Sequence, residues 1–350
     1  MHQQLDSMKN QKVRARAPLR LGFAGGGTDV SPYSDEFGGS VLNATIDKYA
    51  YATISHREEG VEFIAADIQT RWEGRATAPL ALQKGVELHI GVYNAIVRKF
   101  LQGQPISVKV VSHSEAPPGS GLGSSSTMVV ALVRAYAEYL RLPLGEYDVA
   151  QLAFDIERKD LNLAGGRQDQ YAATFGGVNF MEFYGNRVIV NPLRIKASHL
   201  AELESSLVLF YTGVSRESAN IIKEQTQHVQ DKDAKAIEAL HNVKREAVVM
   251  KEALLKGDWA AFARSMRDSW EAKKRMASSI SNPMIDQIYN AAVEAGALAG
   301  KVSGAGGGGF MMFFVDPSRR PDVIRVLNRF EGQVMTAIFV EHGVHSWSVE

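Results

Sequence analysis

The chain has 350 residues, of which 45% are hydrophobic and 22% charged, proportions typical of a folded enzyme with a large core. Its 39 acidic and 39 basic residues cancel, which argues against binding of nucleic acid or an anionic membrane through overall charge. It contains no cysteine, and so disulfide bonds, thiolate catalysis and cysteine-ligated metals are excluded.

Residues 1–17 are polar and basic, and they lack the apolar segment of a secretory signal. The longest apolar run near the end, 310–315, is too short to span a bilayer. We therefore expect a cytoplasmic protein with neither a nucleic acid nor a membrane partner. The length suits two lobes, and the oligomeric state is left open, with a homodimer as one option.

The first half of the chain is predicted to mix strands and helices, according to the period of its apolar residues. Strands are predicted at 13–21, 39–56 and 106–111, and a hairpin at 179–190 that turns at 184–186. Asp47 and Lys48 are predicted to interrupt the second of these strands. Helices are predicted at 88–102, 128–140 and 147–158.

The second half is predicted to contain more helix. From 215 to 275 almost nothing breaks a helix, and charged residues interleave with apolar ones at three- and four-residue spacing. Gly257 and Asp258 should separate two helices, with Asp258 as the N-cap of the second. The remaining predicted elements are a helix starting at Asn282-Pro283, strands at 207–211 and 310–315, a helix at 317–330 and an extended tail at 333–349.

The most informative motif is the segment 117–126, Pro-Pro-Gly-Ser-Gly-Leu-Gly-Ser-Ser-Ser. It follows a predicted strand and leads into a predicted helix, and so it offers backbone N–H groups and a positive helix end to an anion. Its glycines let the backbone approach phosphate oxygens closely. It is not a Walker A loop, because no lysine precedes the hydroxyl residues.

Three other segments combine glycine with charged or hydroxyl-bearing residues, at 18–29, 165–170 and 301–309. A single glycine run is more often a turn than a binding site. Four such segments in one chain favour function, and on spacing alone they indicate a phosphate-binding enzyme. No pair of the nine histidines has the spacing typical of metal ligands.

Taken in order, the four segments resemble the GHMP kinases, over residues 13 to 315. The resemblance implies an α+β fold of two lobes, with an N-terminal lobe like domain 2 of ribosomal protein S5 and a ferredoxin-like C-terminal lobe. We expect a disordered tail at 1–12, an ATP-binding domain at 13–200 and a second domain at 201–350. The first and third segments are similar to those of the branch that phosphorylates sugars at the anomeric carbon.

The resemblance implies a kinase that uses ATP and Mg²⁺ and takes a sugar phosphate as its small-molecule acceptor. The expected reaction adds a phosphate at C1 of a heptose 7-phosphate, on the way to activated heptose for surface glycans such as lipopolysaccharide or capsule. Two alternatives stay open: a kinase for an unphosphorylated sugar such as L-fucose, and a sugar and ATP sensor without turnover. Intact Asp169 and Arg20 argue against the sensor.

The resemblance also assigns catalytic roles. Asp169 would be the catalytic base, and Arg20 would keep its carboxylate ionised and stabilise the transferring phosphoryl group. Ser125 and Glu157 would bind Mg²⁺, although Glu157 departs by about one residue from the mevalonate kinase spacing. The ATP phosphates would be bound by Pro118, Gly119, Ser120, Gly121, Leu122, Gly123, Ser124, Ser125 and Ser126.

Substrate recognition is predicted mainly at the other three segments. The residues expected to contact the substrate are Gly26, Gly27, Thr28, Asp29, Arg167, Arg216, Gly306 and Gly307. Asp29 would accept hydrogen bonds from sugar hydroxyls. A phosphate on the sugar needs a second cationic site, for which Arg216 is favoured over Arg167, Lys274 and Lys301.

Each of these residues also has a plain structural interpretation. Arg20 could be an ordinary arginine at a strand end, and Asp29 a residue that caps a turn. Glu157 could lie on a solvated helix face, and 304–309 could be a tight turn.

Overall fold

The computed structural model describes residues 11–214 and 218–349. Within these residues the strands form two sheets, one of eight strands and one of four. The larger sheet contains β1 (Lys12–Ala24), β2 (Gly39–His56), β3 (Val61–Ala65), β4 (Thr70–Gly74), β5 (Val108–Ser114), β6 (Val178–Tyr184), β7 (Arg187–Pro192) and β12 (His345–Val349). The smaller sheet contains β8 (Leu207–Tyr211), β9 (Ala297–Val302), β10 (Phe310–Val315) and β11 (Gln333–Met335).

Helices cover both sheets. Those of the first half are α1 (Tyr33–Phe37), α2 (Glu87–Phe100), α3 (Ser124–Tyr139), α4 (Glu146–Asp155) with a π-helical extension (Ile156–Asp160), α5 (Gln168–Phe175) and α6 (Ala197–Ser206). Those of the second half are α7 (Ser218–Gln230), α8 (Ala234–Lys256), α9 (Trp259–Lys274), a short 3₁₀ helix (Ser278–Ile280), α10 (Pro283–Glu294) and α11 (Arg320–Leu327).

The long strand β2 organises the larger sheet, whose main order is β12-β1-β2-β5-β3-β4. Its first part, 39–44, pairs with β6, and its last part, 50–56, pairs with β5. The predicted interruption at Asp47 and Lys48 is a bulge: the register with β1 shifts between the pairs Pro18–Tyr49 and Arg20–Thr45. A bulge re-aims the side chains beside it, and here it precedes Arg20.

The end of the chain returns to the first sheet. Strand β12 pairs antiparallel with β1, so that Lys12 lies opposite Val349 and Arg16 opposite His345. The four strands of the smaller sheet therefore lie, in sequence, between two parts of the larger one. The division into domains at 13–200 and 201–350 stays a prediction.

A shared apolar core joins the two sheets. Leu21 and Phe23 on β1 pack in one cluster with Phe262 on α9 and with Met312 and Phe314 on β10. All five side chains are almost fully buried. Burial of this kind is the main stabilising contribution in folding, and here it depends on both halves of the chain. The two sheets are thus held together by one apolar cluster.

The structure confirms the predicted α+β fold. Strands β8 and β10 have the predicted bounds, Asp258 caps α9 by accepting a hydrogen bond from the N–H of Ala261, and α10 starts at Pro283. The hairpin of β3 and β4 and the helices α5 and α6 were not predicted. Among residues 11–214 and 218–349 we find no helix that combines the length and the hydropathy needed to cross a bilayer.

Candidate active site

A cavity of about 630 Å³ lies where the four glycine-rich segments meet. Its wall includes Arg20 and Asp29 from the first segment and Asp169 from the third. The second segment contributes Pro118, Gly119, Gly121, Gly123, Ser124, Ser125 and Ser126, and the fourth contributes Gly304 and Ala305. Segments that are far apart in sequence therefore form one site.

The 117–126 loop is held against the second half of the chain. A Cβ on Gly121 would lie 2.5 Å from the carbonyl oxygen of Ser303, whose hydroxyl donates a 2.9 Å hydrogen bond to the Gly121 carbonyl. Gly123 has a φ of +78° and immediately precedes α3, whose first three residues line the cavity. A helix leaves its first N–H groups without intrahelical acceptors, and so this wall is suited to an anion.

Two of the predicted phosphate-binding residues lie behind this wall. Ser120 and Leu122 are buried outside the cavity lining. The Ser120 carbonyl accepts a hydrogen bond from the N–H of Phe310, and the Leu122 carbonyl accepts one from the N–H of Arg20. Both residues thus anchor the loop to neighbouring strands, and their direct contact with ATP stays a prediction.

Asp169 and Arg20 form an ion pair in the wall of the cavity. The Arg20 Nε donates to Asp169 Oδ1 at 2.8 Å, and Nη2 lies 2.6 Å from the same oxygen. The Arg20 Nη1 donates to the Gly121 carbonyl at 2.6 Å. Asp169 Oδ2 takes no part in the pair. It lies beside Gly123, where an added Cβ would be 3.0 Å from this oxygen. The pair thus presents one carboxylate oxygen near the 117–126 loop, which we call the glycine loop.

Asp29 positions the helix that carries Asp169. Its Oδ2 accepts hydrogen bonds from the backbone N–H groups of Arg167 (2.9 Å) and Gln168 (3.0 Å), at the start of α5. Its Oδ1 accepts one from the N–H of Gly27 at 3.2 Å. A carboxylate at a helix N-terminus is stabilised by the helix dipole. The predicted contact between Asp29 and sugar hydroxyls stays a prediction, and the structure adds this second role.

Of the other predicted substrate residues in the first segment, two line the cavity and one does not. Gly26 and Gly27 line the cavity. Thr28 does not line it, because its buried hydroxyl donates to the Gly25 carbonyl at 2.7 Å and accepts from the N–H of Ser40 at 3.0 Å. Thr28 therefore holds the turn rather than the wall of the cavity.

Glu157 is buried, and so its interpretation as a residue on a solvated helix face is wrong. Its Oε1 accepts a 2.9 Å hydrogen bond from Ser125 Oγ, and its Oε2 accepts one of 2.5 Å from Gln170 Nε2. Glu157 lies in the π-helical extension of α4, a distortion often found at functional sites. One carboxylate and one hydroxyl at the cavity wall fit Mg²⁺, which binds through few protein oxygens and substrate phosphates.

Lys273 is a site residue that sequence reasoning missed. It lies on α9, lines the cavity and is 3% exposed, and its Nζ donates to the Gly304 carbonyl. Burial lowers the pKa of Lys273 to about 8, and the nearby positive charge of Arg20 lowers it further. The carboxylates of Asp29 and Asp169 oppose this shift by favouring the charged ammonium. It lies seven residues after Met266 and three after Trp270, on the buried face of the helix.

The two lysines considered as candidates for the sugar phosphate, Lys274 and Lys301, do not line the cavity. Lys301 is buried and donates to the carbonyls of Gly22 and Phe23, each at 2.9 Å. Burial, with the nearby charges of Lys273 and Arg20, lowers the pKa of Lys301 well below its usual value. Lys274 pairs with Glu271 at 2.8 Å. Neither lysine lines the cavity, and so neither is placed to bind the phosphate of a sugar there.

The other four predicted substrate residues lie either outside the lining of this cavity or outside the described residues. Gly306 and Gly307 pack against Ile280, whose carbonyl accepts from the Gly307 N–H at 2.8 Å, and the far wall is formed by Gly304 and Ala305 instead. Arg167 lines an adjoining cavity. Arg216 lies outside the described residues.

Comparisons with known proteins identify two matching family models and several similar proteins. The family model for the GHMP kinases N terminal domain matches residues 87–177, and the model for the GHMP kinases C terminal region matches residues 250–332. The chain is 46% identical to a D-glycero-alpha-D-manno-heptose 7-phosphate kinase of Campylobacter jejuni, over 96% of this chain and 99% of that protein.

Two other similarities are informative. A solved structure described as a D-glycero-D-manno-heptose 1-phosphate kinase from Bacteroides thetaiotaomicron superposes with a TM-score of 0.83 at 45% identity, covering 97% of this chain and 99% of that one. The L-fucokinase/L-fucose-1-P guanylyltransferase of Bacteroides fragilis is 26% identical, over 92% of this chain and 37% of that protein.

Proposed function

This chain belongs to the GHMP kinases, and on that premise we propose that it transfers the γ-phosphoryl group of ATP to the anomeric C1 hydroxyl of D-glycero-D-manno-heptose 7-phosphate. The product is the 1,7-bisphosphate, a precursor of nucleotide-activated heptose. The observation that carries the proposal is the convergence of the Asp169–Arg20 pair, the glycine loop and the Ser125–Glu157 pair on one cavity. Because the reaction draws on ATP, the proposal includes a cytoplasmic location.

The glycine loop and the start of α3 bind the phosphates of ATP through their N–H groups. Ser125 and Glu157 would hold Mg²⁺, which when bound neutralises charge on the phosphates. The protein's share of catalysis is then positioning and charge stabilisation, as in other phosphoryl transfers.

Asp169 takes the proton of the acceptor. As the C1 oxygen forms its bond to the γ-phosphorus, the hydroxyl proton moves to Asp169 Oδ2, and the bond from the γ-phosphorus to the bridging oxygen breaks to release ADP. Arg20 fixes Oδ1, which leaves Oδ2 for the acceptor. Its positive charge, together with Lys273, faces the charge that develops on the transferring group.

The names of two relatives differ in the position of the phosphate that their substrate carries. Phosphorylation of a heptose 7-phosphate at C1 and of a heptose 1-phosphate at C7 give the same bisphosphate, and so the product alone does not separate them. ADP release should therefore be measured with heptose 7-phosphate, heptose 1-phosphate, the free heptose, L-fucose, galactose and mannose. We expect turnover with heptose 7-phosphate; activity confined to free sugars or to heptose 1-phosphate would refute the proposal.

We expect kcat/KM to fall as pH rises through about 8, because Lys273 then loses its charge. The effect of Lys273 on stability has the opposite pH dependence. Its pKa is about 8 in the folded protein and 10.5 ordinarily, and so the free energy of unfolding increases as pH rises between these two pKa values. Titration of Lys273 therefore does not cause the expected loss of activity by destabilising the fold. The expected decline is measured as the pH profile of kcat/KM of the purified enzyme.

Lys273→Arg is the matched variant, because arginine stays protonated throughout this range. It should remove the alkaline decline, whereas Lys274→Arg, at the neighbouring position outside the cavity, should retain it. An alkaline decline of equal size in both variants would contradict the role of Lys273.

A further inference from the structure

A second cavity of about 550 Å³ adjoins the first. The two share a wall that includes Asp29, Arg158 and Gly165. We propose that this second cavity binds the phosphate that the acceptor already carries at the end opposite C1. This inference rests on the proposed function and adds the residues that recognise the phosphorylated acceptor.

The charges around the second cavity favour an anion. Arg158, Arg167 and Lys223 line it. Its one acidic lining residue among the described residues is Asp29, and both oxygens of that carboxylate already accept backbone hydrogen bonds. The lining therefore has an excess of positive charge, although the whole chain is neutral.

Arg167 is held in place for such a contact. It is 7% exposed, and its guanidinium carbon lies 5.0 Å from the centre of the Phe154 ring. Its Nη1 donates to the Gly185 carbonyl, and Nη2 is 3.8 Å from the exposed carboxylate of Asp35. A guanidinium has five N–H donors in a planar fork that suits phosphate oxygens, and so donors are left for a ligand.

Arg158 and Lys223 are the other two cationic residues that line the second cavity. The Arg158 guanidinium is oriented by long hydrogen bonds of 3.3 Å from Nε to the Gly166 carbonyl and from Nη2 to Ser126 Oγ. Lys223 is exposed on α7, and within residues 11–214 and 218–349 it forms no ion pair. A hydrogen-bonded arginine can provide a planar fork for phosphate oxygens, and the flexible stem of a lysine lets its ammonium reach the same group.

The second cavity adjoins the part of the first cavity that contains Asp169. Arg167 precedes Asp169 by two residues, and its N–H donates to Asp29, which lines both cavities. A heptose whose C1 hydroxyl lies at Asp169 can extend along this shared wall, which brings its C7 end to the second cavity. Glu157 contacts Ser125 and lines only the first cavity, whereas its neighbour Arg158 lines both cavities and lies 3.8 Å from Glu157 Oε1.

The test compares acceptors with and without the phosphate. For Lys223→Ala and Arg167→Lys, kcat/KM is measured with D-glycero-D-manno-heptose 7-phosphate and with the unphosphorylated heptose. We expect a loss of about tenfold to a hundredfold with the phosphorylated acceptor, as for a charged hydrogen bond, and a much smaller loss with the free sugar. Lys235→Ala, at an exposed position on α8 outside both cavities, is the matched control.

Lys223 is exposed, and so its variant keeps the test informative even if the buried Arg167 is needed for folding. Equal losses with both acceptors, or no loss with either, would overturn the subsite while the kinase activity of the wild type stands. A wild-type enzyme that phosphorylates neither acceptor would refute the proposed function and the subsite together.

Discussion

Asp169→Asn is expected to lower kcat by about 10²–10⁴-fold, the usual contribution of a positioned general base. The amide has nearly the shape of the carboxylate, but it does not accept the proton of the C1 hydroxyl. Nucleotide binding should be retained, because the glycine loop and the Ser125–Glu157 pair are unchanged. Turnover is measured by ADP release, and nucleotide affinity by calorimetric titration.

A surface control and a clear contrary result complete this experiment. Asp268→Asn changes an exposed carboxylate on α9, outside the cavity, and should leave kcat unchanged. Wild-type turnover in the Asp169→Asn enzyme would show that another group accepts the proton. It would also leave the Arg20 ion pair without a catalytic purpose.

Arg20→Met is expected to lower kcat by about 10²–10³-fold, equivalent to roughly 2.7–4 kcal/mol of transition-state stabilisation. Methionine retains much of the apolar volume but removes the charge beside Asp169 and the hydrogen bond to the Gly121 carbonyl. Arg20→Lys should be nearly as impaired, since a lysine ammonium does not reproduce the guanidinium fork. The same ADP assay measures both variants.

The control for Arg20 lies on the same strand. Arg16 is exposed on β1 and stacks over Tyr49, away from the cavity, and so Arg16→Met should retain full kcat. Because Arg20 and Asp169 act as one unit, the Arg20→Met/Asp169→Asn double variant should lose less than the product of the two single losses. Additive losses would mean that the two residues act independently.

Local sequence features predicted much of the structure. The glycine loop, its helix and the Asp-Gln dipeptide are contiguous motifs, and the structure places them together at the cavity. Strands β8 and β10 are dense apolar runs, and the caps at Asp258 and Asn282 are signals within a few residues of the helices they start. Such features need no knowledge of the rest of the fold.

Features that depend on distant parts of the chain were missed. The helix start at 167–168 is capped by Asp29, 138 positions away from Arg167, and no local pattern indicates this partner. Lys273 is one of several charged residues in a helical stretch, and only the packing of α9 against the site distinguishes it from Lys274. Strand β4 contains two charged residues in five, and so its apolar signal was too weak.

The pairing of β1 with β12 has a consequence for synthesis of the protein. More than 300 residues separate Ala24 from His345. At the usual rate of translation, roughly 15–60 s therefore pass between the emergence of these two strands. Until then one edge of β1 lacks its partner, and a bare edge is prone to aggregate with other nascent chains. Lys12, Arg14 and Arg16 alternate with buried residues along that edge, where their charges would discourage such pairing on the ribosome.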